Sequence, residues 1–165
     1  MKTKKVAFVG ISITLAMVLS FVEHQIPALV AVPGIKVGLP NIVMVFLLYR
    51  VGWKETVLVS ILRILLVSMI FGSNPMTISF SLAGATVSLL GMILLKKINL
   101  FSSITVSIVG GILHNVGQIA AACLWTQTIQ VAYYLPVLLV SGTVAGAIIG
   151  FVAGMLVKRL EKFKL

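Results

Sequence analysis

The sequence has 165 residues, with no Asp, three Glu, one Cys and 10% charged residues in all. Each shortage removes a class of function. A soluble domain carries about 25% charged residues, so this chain is too poor in charge to cover a surface facing water. Magnesium-dependent prenyl transfer needs clustered carboxylates to hold metal and diphosphate, and the scattered Glu23, Glu55 and Glu161 cannot form that cluster. No G-x-x-x-x-G-K-[ST] occurs, which rules out nucleotide hydrolysis by a P-loop. A lone Cys123 rules out an internal disulfide and reads as a small packing residue. His24 and His114 fall at different depths, which argues against paired haem ligation. Proton relays through a membrane usually use carboxylates, and none is suitably placed.

What is abundant is apolar: 60% hydrophobic residues and a mean hydropathy of +1.20. Runs of near-spanning length recur along the whole chain. They predict an all-α integral membrane protein, a single domain over 1–165, with six spans at about 6–22, 39–51, 56–71, 76–95, 104–125 and 134–157. The run Val6–Val22 exceeds the 7–15 residues typical of a signal-peptide core, so it is read as a helix.

The net charge of +10 follows the spans. With the N-terminus in the cytoplasm, the cytoplasmic ends hold Lys2, Lys4, Lys5, Arg50, Lys54, Lys96, Lys97, Lys158, Arg159, Lys162 and Lys164. Outside there is Lys36, and Arg63 falls within a span. This positive-inside pattern predicts both termini in the cytoplasm of a bacterial plasma membrane. It assigns the basic excess to topology and anionic lipid, with no nucleic-acid partner.

The external segment EHQIPALVAVPGIKVGLP, Glu23–Pro40, holds three of the five prolines. Proline cannot continue a helix, and irregular backbone at membrane depth needs protein cover or a cavity. The segment reads as a lid over a pocket, with residues 23–38 as its loop, or as an ordinary packed loop.

Within the fifth span, GGILHNVGQIAAA places Gly111, His114, Asn115, Gln118 and Ala122 on one helical face, at mid-bilayer depth. Arg63 is equally central in the third span, and the three acids all sit at span ends. A buried guanidinium needs a partner. Helix–helix hydrogen bonds would explain the His–Asn–Gln face; a midplane ligand site accounts for that face and the unpaired cation together. The candidate ligand set is therefore Arg63, His114, Asn115 and Gln118, joined by Glu23, Lys36 and Asn41 from the loop and its borders. No catalytic or metal-ligating set emerges.

Two ladders of small residues remain. Gly142, Gly146, Gly150 and Gly154 repeat every four residues and predict a close helix seam. Ser12, Ala16 and Ser20 form a weaker stripe that suits either an internal seam or another subunit.

The blocks SFVEHQIPA, PGIKVGLPNI, GWKETVLVSILRILL, FSLAGATVSLLGM, GGILHNVGQIAAA and YYLPVLLVSG together resemble the Gx transporter family, often labelled heptaprenyl diphosphate synthase component I. Pro40 and Gly84-Ala85 depart from its pattern. The resemblance implies a fold like the substrate-binding S components of energy-coupling-factor transporters: six helices, an outward pocket under the first loops, and no cofactor. It also implies a separate membrane subunit and ATPases as partners, docked on Ser12, Ala16 and Ser20. A rival reading, from the same resemblance, is a membrane component of flavin- or menaquinone-linked electron transfer, with bound flavin or quinone. Prenyl synthase activity is not expected of a chain without Asp.

Overall fold

In a computed structural model the chain is described over residues 2–26 and 37–161. Lys36, Lys162, Lys164 and loop residues 27–36 lie outside the described residues. The chain forms α1 (Lys2–Gln25), α2 (Asn41–Arg50), α3 (Trp53–Ile70), α4 (Pro75–Ile98), α5 (Ser103–Thr126) and α6 (Leu135–Arg159), with a 3-10 turn at Ile129–Tyr134 before α6. No strand occurs among the described residues. The punctuation is chemical. Asn74 accepts the Thr77 N–H at 2.8 Å to start α4, with Pro75 in its first turn, and Ser102 accepts that of Thr105 at 3.2 Å to start α5. These caps satisfy donors that the helix itself leaves open. At the far ends, Asn99 and Gln127 close α4 and α5 in the left-handed region, at φ 59° and 50°.

Four segments, Lys4–Gln25, Pro75–Ile98, Ser103–Thr126 and Ile129–Arg159, are long and apolar enough to cross a bilayer. The other two helices differ for distinct reasons. α2 has 10 residues, about 15 Å at 1.5 Å per residue. α3 carries Lys54, Glu55 and Arg63 within its 18 residues. The outward faces are apolar: Val140, Val144, Ile148 and Phe151 on α6 and Ile11, Leu15, Val18 and Phe21 on α1 are all at least half exposed. Such a surface suits lipid and far exceeds the apolar patch of a soluble monomer. These are the features of a multi-pass membrane protein.

α2 is apolar all round and lies inside the bundle, with every residue from Val43 to Leu48 buried. Its Val43, Met44 and Leu47 pack with Ala16 of α1 and Val59 of α3. Its Val45 and Leu48 pack with Leu89 and Met92 of α4, Val106 of α5 and Ile149 and Ala153 of α6. α2 thus stands between an α1–α3 pair and an α4–α5–α6 sheet of helices. The first-helix stripe belongs to this interior. Ser12, Ala16 and Ser20 are 6%, 0% and 3% exposed, so the docking surface expected there faces α2 and α3. A small-residue stripe permits close approach without saying from which side.

The basic ends meet at one end of the bundle. Lys5 pairs with Glu55 at 2.5 Å, joining α1 to α3 and holding the Glu55 carboxyl below its ordinary range. Arg50 donates to the Leu160 carbonyl at 2.8 Å, joining α2 to α6, and Lys96 donates to the Leu48 carbonyl, joining α4 to α2.

The α5–α6 seam is made by the glycine ladder. A Cβ on Gly146 would stand 2.7 Å from Ile108 Cα and 2.8 Å from the Ser107 carbonyl oxygen. One on Gly150 would stand 2.6 Å from Ile104 Cα, and one on Gly154 2.6 Å from Ser103 Oγ. Backbone cannot yield as a flexible side chain can. Gly146→Ala and Gly150→Ala are therefore each expected to lower stability by about 1–3 kcal/mol. Gly10→Ala, with nothing within 4 Å of its added methyl, should be neutral or slightly stabilising. Thermal unfolding in detergent distinguishes the two classes.

Candidate functional site

A cavity of about 430 Å³ opens between the two halves of the bundle, from the N-terminal end of α2 along its Val45 side to Met92, Ser107 and Ile149. Its size is within the range of small-molecule sites, about 300–1,000 Å³. All six helices contribute to its wall: Ser20, Glu23 and His24 of α1, Asn41 of α2, Arg63 and Ser68 of α3, Thr77 and Ser81 of α4, His114, Asn115 and Gln118 of α5, and Ser141 of α6. Of the seven candidate ligand residues, six lie on this one wall; Lys36 is outside the described residues. The cap expected over Glu23–Pro40 is described at its ends, where Glu23, His24, Val37, Gly38 and Pro40 border the cavity.

Helix α5 presents its polar face through gaps that glycines leave. On one side, Gly84 of α4 makes room for His114 and Gln118: a Cβ there would meet Gln118 Cγ at 2.8 Å and His114 Cε1 at 3.0 Å. On the other, Gly142 of α6 makes room for Asn115, whose Nδ2 lies 2.7 Å from where a Cβ would be. Asn115 is buried and donates through that Nδ2 to the Leu138 carbonyl at 2.5 Å. Its amide nitrogen is thus a strut between α5 and α6. The helix–helix reading of the polar face fits this residue, while His114 just before it and Gln118 one turn on line the cavity.

Arg63 enters the cavity from α3. Its Nη1 donates to Ser20 Oγ at 3.4 Å, a weak contact, and its Nε is buried without a hydrogen-bond partner among the described residues. Ser20 Oγ is itself committed as a donor to the Ala16 carbonyl at 2.9 Å. The opposite charge that acts on the guanidinium is Glu23. Sequence depth placed that carboxylate at a span end, away from Arg63; in three dimensions the end of α1 leans over the same cavity. Glu23 Oε1 also accepts the Gly38 N–H, which ties α1 to the entry of α2. Gly38 there has φ 79°, a conformation that L side chains rarely adopt.

Sequence reasoning missed most of the hydroxyl wall, and it missed His24. The His24 ring stacks on Phe71 with centroids 4.1 Å apart and an interplanar angle of 11°. Its Nδ1 donates to the Ser20 carbonyl at 3.0 Å, since the carbonyl can only accept. Serine and threonine in apolar helices gave no separate signal, because most of them bond back to their own helix. Thr56 does so to the Gly52 carbonyl at 2.8 Å, and Thr86 to that of Leu82 at 2.7 Å.

Helices with apolar outer faces around a polar, part-charged cavity define a multi-pass membrane protein. The matching sequence pattern is more specific. Residues 4–156 match the family described as heptaprenyl diphosphate synthase component I, and the chain belongs to it. No curated protein and no solved structure matches the chain.

The strut and the cavity wall are separable by mutation. Asn115→Ala removes the donor to Leu138 and is expected to cost about 1–2 kcal/mol. Gln118→Ala should cost less than 0.5 kcal/mol, on the order of a substitution away from any strut. Chemical or thermal unfolding of the two variants in detergent gives the comparison.

Proposed function

We propose that this chain is a binding subunit for uptake of a small molecule that carries an anionic group, resembling the S components of energy-coupling-factor transporters. The ligand would occupy the cavity, with Arg63 as its anion partner and His114, Gln118 and Asn41 as further hydrogen-bonding groups. The carrying observation is Arg63: a cation in the interior of an apolar bundle, with a donor unused. Such a group is costly in a membrane, and where it persists it usually serves a ligand, an ion path or a partner. Six spans, with both termini in the cytoplasm, fit the meeting of the basic ends at the end away from the cavity, under the positive-inside rule. The cavity would then open outward. Having no P-loop, the chain would be energised from outside itself, by a separate membrane subunit with ATPases. Prenyl transfer is no part of this reading, because the sequence has no Asp and its three Glu are dispersed.

Arg63→Met tests the site. The variant should keep its helical circular dichroism and unfold at the same or a higher temperature, since an unsatisfied interior charge has been removed. It should lose the small molecule that mass spectrometry detects in extracts of the wild-type protein. Retention of that molecule by the variant at wild-type level would show Arg63 to be structural.

Topology is tested separately in a Cys123→Ser background. A membrane-impermeant thiol reagent added to intact cells should label Thr128→Cys and spare Lys97→Cys. Labelling of Lys97→Cys from outside would reverse the orientation.

A further inference from the structure

We propose that the ligand of this cavity is a zwitterion, a molecule with a carboxylate-like group for Arg63 and an ammonium-like group for Glu23. This rests on reading the cavity as a ligand site and narrows its chemistry. Among the described lining residues, Glu23 is the one carboxylate and Arg63 the one guanidinium. They lie on one cavity wall, yet no hydrogen bond and no ion pair within 4.0 Å joins them.

That separation is the informative feature. Opposite charges attract more strongly where the surroundings polarise little, and contact offsets their loss of water; Arg63 Nε is buried, and Glu23 is half-buried at the end of α1. Two such groups placed only to cancel one another would close up. Here each is held by its own anchor. Arg63 leans on the Ser20 hydroxyl at 3.4 Å with Nε left over, and Glu23 accepts the Gly38 N–H. The anchors keep a positive and a negative pole apart with space between them.

Charge balance then selects the occupant. The wall pair sums to zero. A plain anion bound at Arg63 would leave Glu23 uncompensated in the same chamber, and a diphosphate would worsen the excess. A plain cation bound at Glu23 would face the guanidinium. A dipolar molecule satisfies both poles and adds no net charge. The remaining wall groups, among them His114, Gln118, Asn74 and Thr77, are hydrogen-bonding groups suited to a polar body between the poles.

The test uses the detergent-purified full chain and two readouts. The first is mass spectrometry of the molecule extracted from it, which should carry both an acidic and a basic group. The second is thermal unfolding with the common α-amino acids, β-alanine and γ-aminobutyrate. Each is compared with its amide, which is a cation, and its N-acetyl derivative, which is an anion. At least one parent zwitterion should stabilise the protein, and its amide and N-acetyl forms should bind about tenfold more weakly or worse, the loss of one charge-assisted hydrogen bond. Glu23→Gln should erase the difference between parent and N-acetyl form, and Arg63→Gln that between parent and amide. An extracted molecule without a basic group, or an N-acetyl form binding as well as its parent, overturns the zwitterion while leaving the cavity a ligand site. An extract with no small molecule, together with no stabilisation by any probe, overturns the ligand site and the zwitterion with it.

Discussion

Helix α5 touches backbone on both sides, and the rest of the bundle depends on that contact. In lipid the hydrophobic effect does not push helices together, so close backbone approach and the dispersion it allows must do so. On the α6 side a Cβ at Gly142 would meet the Gly111 carbonyl oxygen at 2.9 Å; on the α4 side one at Gly117 would meet the Ala83 carbonyl oxygen at 2.7 Å. With no slack on either flank, α5 cannot rotate to present another face. The orientation of its polar face is therefore a consequence of glycine placement on three helices. Gly84 and Gly142 belong to both the packing and the site, because the space each leaves is filled by a polar side chain of α5 and not by another methyl.

The short α2 explains where the cavity lies. Beside neighbours of 24 and 25 residues, about 36 Å long at 1.5 Å per residue, a helix of about 15 Å fills less than half of its column. Its buried residues complete the core near the basic end. All six helices contribute side chains to the cavity, α2 through Asn41 and Val45. Buried hydroxyls of α1 are self-sufficient. Ser12 bonds back to the Phe8 carbonyl at 2.8 Å and Ser20 to that of Ala16, so they add no unmet demand to the interior.

Periodicity revealed which residues share a face, and little about which way that face looks. The α5 set His114, Asn115 and Gln118 could be read because three polar groups in an apolar run have few explanations. The glycine ladder of α6 could be read because a repeat of four along 13 residues, Gly142–Gly154, lies on one stripe of a helix. Ser12, Ala16 and Ser20 obey the same geometry, and the pattern is identical for an inward seam and an outward dock; only the placement of α2 beside them decides. Glu23 was misjudged in its relation to Arg63 for a related reason. Counting residues gives depth along one helix, whereas their sharing of one cavity depends on how α1 leans against α3 and where Gly38 brings the chain back. That Arg63, His114, Asn115 and Gln118 share one cavity wall was readable because charge and amide groups are rare in apolar spans. The serines and threonines around them were not, since they are common there.

Arg63 and Asn115 sit at similar depth and illustrate two ways of holding polarity in a dry interior. Asn115 places its amide nitrogen 2.5 Å from the Leu138 carbonyl and couples two helices; its removal would loosen the structure. Arg63 couples α3 to α1 through one long contact and keeps a buried donor without a partner. A selection for stability alone would replace it with an apolar residue of similar volume, because an incompletely paired interior charge costs more than it returns. Under the proposed reading, the partner that Arg63 lacks is supplied by the ligand. The same bundle, held rigid by glycine contacts that tolerate no adjustment, can carry that unsatisfied charge at a fixed position on the cavity wall.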